Sequence, residues 1–202
     1  MLLEFLDGRR QYARVLPSKD LVVSSNEEGV RIWDHKDVKG FFVNKAMTWK
    51  PSAENAVFIP CAWAKPYLIS SSHRQGYLQA LQPFLDRIDL FVVSEPMTIV
   101  PYCYSDEYPI AYYDFNPYNF DSDSARAIFM DRVGTWIQKY HPRYKKRILI
   151  LTWQYREKFL QTLSRVQIPH TEYLIVSFQG SPENGQNPTA IRDQVQSLLT
   201  SG

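Results

Sequence analysis

The sequence predicts an α/β fold: a three-layer sandwich with a mainly parallel central sheet, plus a small β-rich N-terminal segment. Three observations carry this. Short apolar runs without polar alternation, such as AVFI, DLFVV and ILIL, fit strands buried on both faces. Segments with apolar residues at helical spacing separate them. Strands alternating with helices imply parallel pairing with helices on both faces of the sheet.

Residues 1–50 hold LLEFL, QYARVL, DLVVSS and GVRIWD, short runs broken by Asp-Gly, Pro and Asn-Glu-Glu-Gly turn signals. They predict the β-rich segment, packed on a catalytic α/β domain over residues 51–202. In that domain AVFIP is the first buried strand, and HRQGYLQALQPFL has helical spacing. DLFVVS is the second strand. An Asp/Ser-rich start and the apolar face Ile128, Phe129, Val133, Trp136 and Ile137 predict a helix in DSDSARAIFMDRVGTWIQKY. KRILILTW, REKFLQTLSRV, TEYLIVSF and NPTAIRDQVQSLLT continue as strand, helix, strand and closing helix. Residues 102–120 form a long connection crowded with Tyr, Pro and Asp, the kind of loop that often carries function.

The chain's 202 residues are enough to bury a core without staples. Its net charge of +2 argues against gripping nucleic acid by bulk charge alone. Its two cysteines, Cys61 and Cys103, are too few for a disulfide framework or a four-cysteine zinc site, and the four histidines are scattered. No metal or cofactor is therefore expected. MLLEFLDGRR lacks the apolar run of a signal peptide, and no stretch reaches membrane length, so a cytoplasmic protein is expected. Aromatics reach 14%, which serves either a filled core or a stacking surface.

In sheets of this type ligands bind at the carboxyl ends of the strands. Three loops follow strands there: PCAWAKPY, SEPMTIVPY and WQYREK. Cys61 lies just past the first strand, in a loop stiffened by Pro60 and Pro66. A thiol beside the ammonium of Lys65 favours the nucleophilic thiolate. His73, at the next helix start, supplies an acid/base group, and Ser70 and Ser72 cap that helix or bind an anion. Each residue also has a plain structural reading: a small buried cysteine, a surface lysine, a capping histidine. Their meeting within thirteen positions favours chemistry.

The stretch from Pro60 to His73 resembles the pattern P-C-x3-K-P-Y-x2-S-x2-H of the archaeosine synthase catalytic core, with all seven fixed positions matched. SEPMTIVPY resembles that family's T-S-P-L-G-V-V-P, and YPIAYYD its Y-P-A-A-H-Y-D. The resemblance covers roughly residues 55–180. It departs at Tyr112, where the family often has His. It departs again at Met97-Thr98, in place of Leu-Gly, and at Glu95, which stands between Ser94 and Pro96.

The resemblance implies an enzyme acting on the nitrile of 7-cyano-7-deazaguanine (preQ0) in a nucleic acid. Family members add lysine to that nitrile in tRNA, and free-standing bacterial and phage relatives are expected to hydrate it in DNA. No RNA-binding domain is recognisable beside the core, which favours DNA. A separate transglycosylase is an expected partner. Catalytic roles are implied for Cys61, Lys65, His73 and Asp114, with Asp114 reading the deazaguanine edge. Substrate binding is implied for Tyr67, Ser70, Ser94 and Tyr113; the two tyrosines either stack on or edge the base, or pack in the core. Alternatively Cys61 only shapes the pocket, with Lys65 orienting the attacking group. Arg143, Lys145, Lys146 and Arg147 form the best cluster for phosphate contact, and Arg9, Arg10, Arg14 and Lys19 a looser one. Rival readings are a tRNA lysine-adding subunit, a non-catalytic nucleic-acid-binding module and a base-excising glycosylase.

Overall fold

The computed structural model describes residues 16–23, 25–115, 122–176 and 187–201. Its centre is a five-stranded sheet made of β1 (Asn55–Pro60), β2 (Ile88–Ser94), β3 (Thr98–Pro101), β4 (Lys146–Leu149) and β5 (Leu174–Ile175), in the order β3-β2-β1-β4-β5. Strand β1 pairs in parallel with β2 on one side (Asn55 opposite Ile88) and with β4 on the other (Asn55 opposite Lys146). Strand β5 extends the sheet in parallel, and β3 closes the far edge antiparallel to β2. The mainly parallel sandwich expected from the buried runs is the observed architecture.

Every residue of β1 and β2 is buried, which requires cover on both faces. The helices, in chain order, are α1 (Asn26–Arg31), α2 (Lys36–Phe41), α3 (Gln79–Leu81), α4 (Asp123–Tyr140), α5 (Trp153–Arg165) and α6 (Pro188–Thr200). Helix α3 continues a wide π-type stretch, Ser72–Leu78. Helices α4 and α5 pack together, as do α3 and α6. On one face Phe58 of β1 stacks on Phe91 of β2 (centroids 5.4 Å apart). Phe58 also meets Trp136 of α4 at 5.7 Å and Phe159 of α5 at 5.3 Å. Much of the aromatic surplus is therefore core.

The β-rich expectation for residues 1–50 is not met among the described residues. LLEFL and most of QYARVL lie outside them. From residue 16 onward the chain is helical except for one bridge, Val22 to Asp114. The signal was present in Ser25-x-x-Glu28, the capping-box spacing. Ser25 Oγ accepts from the Glu28 amide at 3.2 Å and starts α1. GVRIWD thus winds as a helix and buries Ile32 and Trp33.

At the opposite end from the strands' carboxyl termini, Asp89 clamps the sheet. It accepts from the Ser52 amide at 3.0 Å, the Ser52 hydroxyl at 2.5 Å and the Tyr144 hydroxyl at 2.8 Å. At the β2–β3 turn Thr98 has φ 73, left-handed space where a β-branched residue is strained. The resembled pattern has glycine at this position. The Thr98 hydroxyl is buried with no hydrogen-bond partner among the described residues.

Two stability outcomes follow from this packing. Phe58→Ala lowers the unfolding free energy by about 3–5 kcal/mol in urea titrations, because the core cannot collapse around the lost ring. Thr98→Gly raises it by about 1 kcal/mol, relief of left-handed strain outweighing glycine's added chain entropy.

Candidate functional site

The connections leaving β1 and β4 diverge. From β1 the chain crosses to β2 on one side; from β4 it passes through α5 to β5 on the other. Such a divergence opens a crevice at the strands' carboxyl ends. Cys61 stands there at the end of β1, its amide bonded to the Val93 carbonyl at 3.0 Å. From the β4 side Tyr155, in the first turn of α5, reaches across. Its hydroxyl and Cys61 Sγ are hydrogen-bonded at 3.1 Å. Cys61 is partly exposed, as a nucleophile needs to be, whereas burial pushes the Cys103 thiol up to about 11.

Lys65 turns back into the crevice. Its ammonium donates to the Ala62 carbonyl and, at 3.4 Å, to that of Trp63. It lies over the rings of Tyr113 (4.5 Å) and Tyr67 (5.1 Å), close enough for cation–π attraction. Burial lowers its pKa, while Cys61 and Asp114 pull it back up. Beneath it Tyr67, Ser94 and Tyr113 close a triangle of hydroxyls: Tyr67 to Ser94 at 3.0 Å, Tyr67 to Tyr113 at 2.8 Å and Ser94 to Tyr113 at 2.5 Å. All three are buried. The rings of Tyr67 and Tyr113 carry Lys65, and of the two readings of these tyrosines the packing one is what is seen: they form a buried floor. Burial raises the pKa of both phenols and keeps them protonated.

His73 is fully buried. Its Nε2 faces the Pro60 carbonyl at 2.9 Å and must therefore carry the proton. Its Nδ1 accepts from the Tyr102 hydroxyl at 3.0 Å, and its ring stacks on Tyr67. Burial drives its pKa down to about 3. A neutral histidine with both nitrogens engaged props the loop and has no proton to exchange with a substrate. Ser70, partly buried, shares a hydrogen bond with Ser72 at 2.8 Å at the start of the π-type stretch. Asp114 is exposed at the mouth, held by backbone bonds to Leu21 and Val23, both at 3.0 Å, and its carboxylate acts electrostatically on Lys65.

Sequence reasoning passed over Tyr155 and a buried ion pair, Glu95 with Lys158, at 2.9 Å. Burial, Cys61 and Glu95 together hold the Tyr155 phenol well above its ordinary pKa. The available signal was position: Tyr155 and Lys158 are three apart on α5, on the face that meets the sheet, and WQYREK follows a strand. Glu95 fits into the β2–β3 turn without disturbing the strand.

The structure places Arg143, Lys145, Lys146 and Arg147 elsewhere. They gather where β4 begins, opposite Asn55 and so six residues of extended chain, about 20 Å, from Cys61. Lys146 caps the carbonyls of Leu198 and Ser201 at the end of α6. Arg147 bonds the carbonyls of His141 and Tyr144, and Lys145 pairs with Glu54 at 2.7 Å. Two of the four positive charges are thus taken up by helix ends and loop carbonyls, a structural role that a basic run in sequence does not reveal. Of the looser cluster, Arg9, Arg10 and Arg14 lie outside the described residues. Among the described residues no group of three or more His, Cys, Asp or Glu is placed to hold a metal ion, and no helix is long and apolar enough to cross a membrane.

With this geometry in view, comparison with known proteins is informative. A family model described as a domain of unknown function, DUF5591, matches residues 38–173. The chain belongs to this family. It is also similar to the archaeosine synthase subunit alpha of Thermoplasma acidophilum, 37% identical over 67 residues, which make up 32% of this chain and 12% of that protein. The chain therefore matches only a small part of that relative's length. The crystal structure of AF0587, a protein of unknown function, shares the fold: TM-score 0.53 and 17% identity, over 80% of this chain and 50% of that one.

The histidine makes one checkable statement. The unfolded chain protonates His73 near pH 6.5 and the folded chain only near pH 3, so the unfolded state binds the extra proton between those values. Folding stability contributed by neutral His73 is thus complete above pH 6.5 and falls as pH drops through the window. In NMR titrations the His73 ring Cε1–H resonance stays constant from pH 8 to pH 4.5; movement near pH 6.5 would mean a solvent-accessible ring.

Proposed function

We propose that this chain is a nucleic-acid modification enzyme acting on the nitrile of 7-cyano-7-deazaguanine, hydrating it to 7-amido-7-deazaguanine in DNA. The observation that carries the reading is the Cys61–Tyr155 contact beside the Lys65 ammonium, at the carboxyl ends of the strands, in a chain with a segment similar to an archaeosine synthase subunit.

The steps follow from the groups present. Cys61 thiolate attacks the nitrile carbon; a C–S bond forms and one C–N π bond breaks. The developing nitrogen anion takes a proton from the Tyr155 phenol, kept protonated by burial, or from Lys65. The acid role first expected of His73 passes to these two, and His73 becomes a positioning residue. Water then adds to the thioimidate carbon as the C=N π bond opens, one of its protons going to the nitrogen and the other returning to Tyr155 or Lys65; the C–S bond breaks, sulfur leaves as thiolate, and the carboxamide remains. Asp114 at the mouth accepts from the exocyclic amine and ring N–H of the base. A separate transglycosylase would place the base in the polymer beforehand.

Water as the final nucleophile is supported by the charges already paired in the crevice. Glu95, the buried carboxylate of the crevice, is already paired with Lys158 and so is not open to the ammonium of a lysine substrate. The similarity to an archaeosine synthase subunit supports the second reading, lysine addition in tRNA.

Mass spectrometry of nucleosides from preQ0-containing DNA and tRNA, each incubated with the protein with and without lysine, separates these readings. A gain of one water on DNA, independent of lysine, is expected. A lysine adduct on tRNA supports the second reading, and loss of the base a glycosylase. Cys61→Ala abolishes the reaction and any trapped protein–nitrile adduct, while Tyr155→Phe slows it by about 10²-fold.

A further inference from the structure

We infer that α5 carries the track for a single-stranded stretch of the substrate nucleic acid, with Trp153 as the stacking platform beside the Cys61 crevice. This rests on the nucleic-acid reading above. Two tryptophans stand in solvent on this side of the molecule: Trp63, 70% exposed, and Trp153, 66% exposed. Large apolar rings so exposed mark interaction sites when they cluster at a cleft. Their position is set by the site itself. Trp63 is two residues beyond Cys61, Trp153 is two residues before Tyr155, and Cys61 and Tyr155 touch. The two indoles therefore flank the opening from opposite sides of the switch between β1 and β4.

From Trp153 a groove of about 230 Å³ runs along α5 past Arg156 and Leu160 to His170. Trp153, Arg156 and Leu160 share one helix face by their spacing of three and four. The groove offers an indole plane, a guanidinium and an imidazole, the mixture that binds unpaired bases and their phosphates. Its acidic member, Glu157, is held by the Gln161 amide at 3.1 Å, and Gln161 in turn accepts from Arg126 at 2.7 Å. The first turn of α5 contains no acidic residue, so its amide dipoles favour an anion. An unpaired strand also suits the chemistry, because a base within a duplex must leave the stack before its nitrile can meet a thiol set in a crevice. By contrast, the basic cluster Arg143–Arg147 faces the other end of the sheet and cannot serve a strand entering at Cys61.

The test is fluorescence anisotropy of a labelled single-stranded 15-nucleotide DNA without modified bases, titrated with the full chain. Trp153→Ala is expected to weaken binding about tenfold, in line with about 1–3 kcal/mol per stacked base, while Trp153→Phe keeps most of it. The double variant R143A/K145A binds as the parent does. Three results overturn the inference: unchanged affinity in W153A, loss in R143A/K145A instead, or sedimentation showing that Trp153 joins two copies of the chain with no oligonucleotide bound by the parent. Failure of the catalytic reading is read separately. A parent that binds DNA through Trp153 yet forms no Cys61-dependent product keeps the track and loses the nitrile chemistry; one that turns over preQ0 with W153A affinity unchanged does the reverse.

Discussion

Strand β1 has water on neither face and a parallel neighbour on each side, and the remainder of the molecule is arranged around that constraint. After Asn55 at its start, the strand is apolar throughout, so its first chemically useful residue comes where it ends. That residue is Cys61. Because the chain leaves β1 toward β2 and leaves β4 toward β5, neither of these connections covers the gap between the two ends. Tyr155 can reach in from α5 only because that gap exists. The same aromatic packing that covers β1, with Phe58 against Trp136 and Phe159, fixes the position of α5 and hence of Tyr155.

Around the thiol the protein uses burial as its instrument. Three hydroxyls far apart in sequence, those of Tyr67, Ser94 and Tyr113, satisfy one another, and the two tyrosines leave their ring faces to carry an ammonium. Lys65 is thereby held where its charge is costly and attracted to Cys61 and Asp114. His73 is spent entirely on support: one nitrogen to the carbonyl before Cys61, the other to Tyr102. This buried ring ties the Cys61 loop to the start of the next helical stretch.

The two ends of the sheet have different work. At one end Asp89, Ser52 and Tyr144 hold strands together, and Lys146 and Arg147 terminate helices and loops. At the other lie the thiol, the ammonium and the exposed indoles. A cluster of positive charge is a poor guide to function until it is known which carbonyls it serves. An exposed tryptophan beside a crevice is a better one, since exposure without a partner is costly for so large a ring.

The sequence by itself determined the class of fold, four of the five strands in chain order (β3 lies inside SEPMTIVPY, which reads as a loop) and the loop that bears Cys61. Those depend on local quantities: runs of apolar residues, helical spacing, proline and the spacing of Cys61, Lys65 and His73. It also contained the helical start at Ser25 and Glu28, masked by the β-like texture of the residues around it. Tertiary structure alone decided which groups meet. Tyr155 is 94 residues from Cys61, and Tyr113 is 46 from Tyr67, so their contacts depend on strand order and helix placement. It decided as well that His73 is neutral and closed off, that Tyr67 and Tyr113 are floor, and that the basic run faces away. Burial and direction set those outcomes, and neither is a property of residue type or spacing.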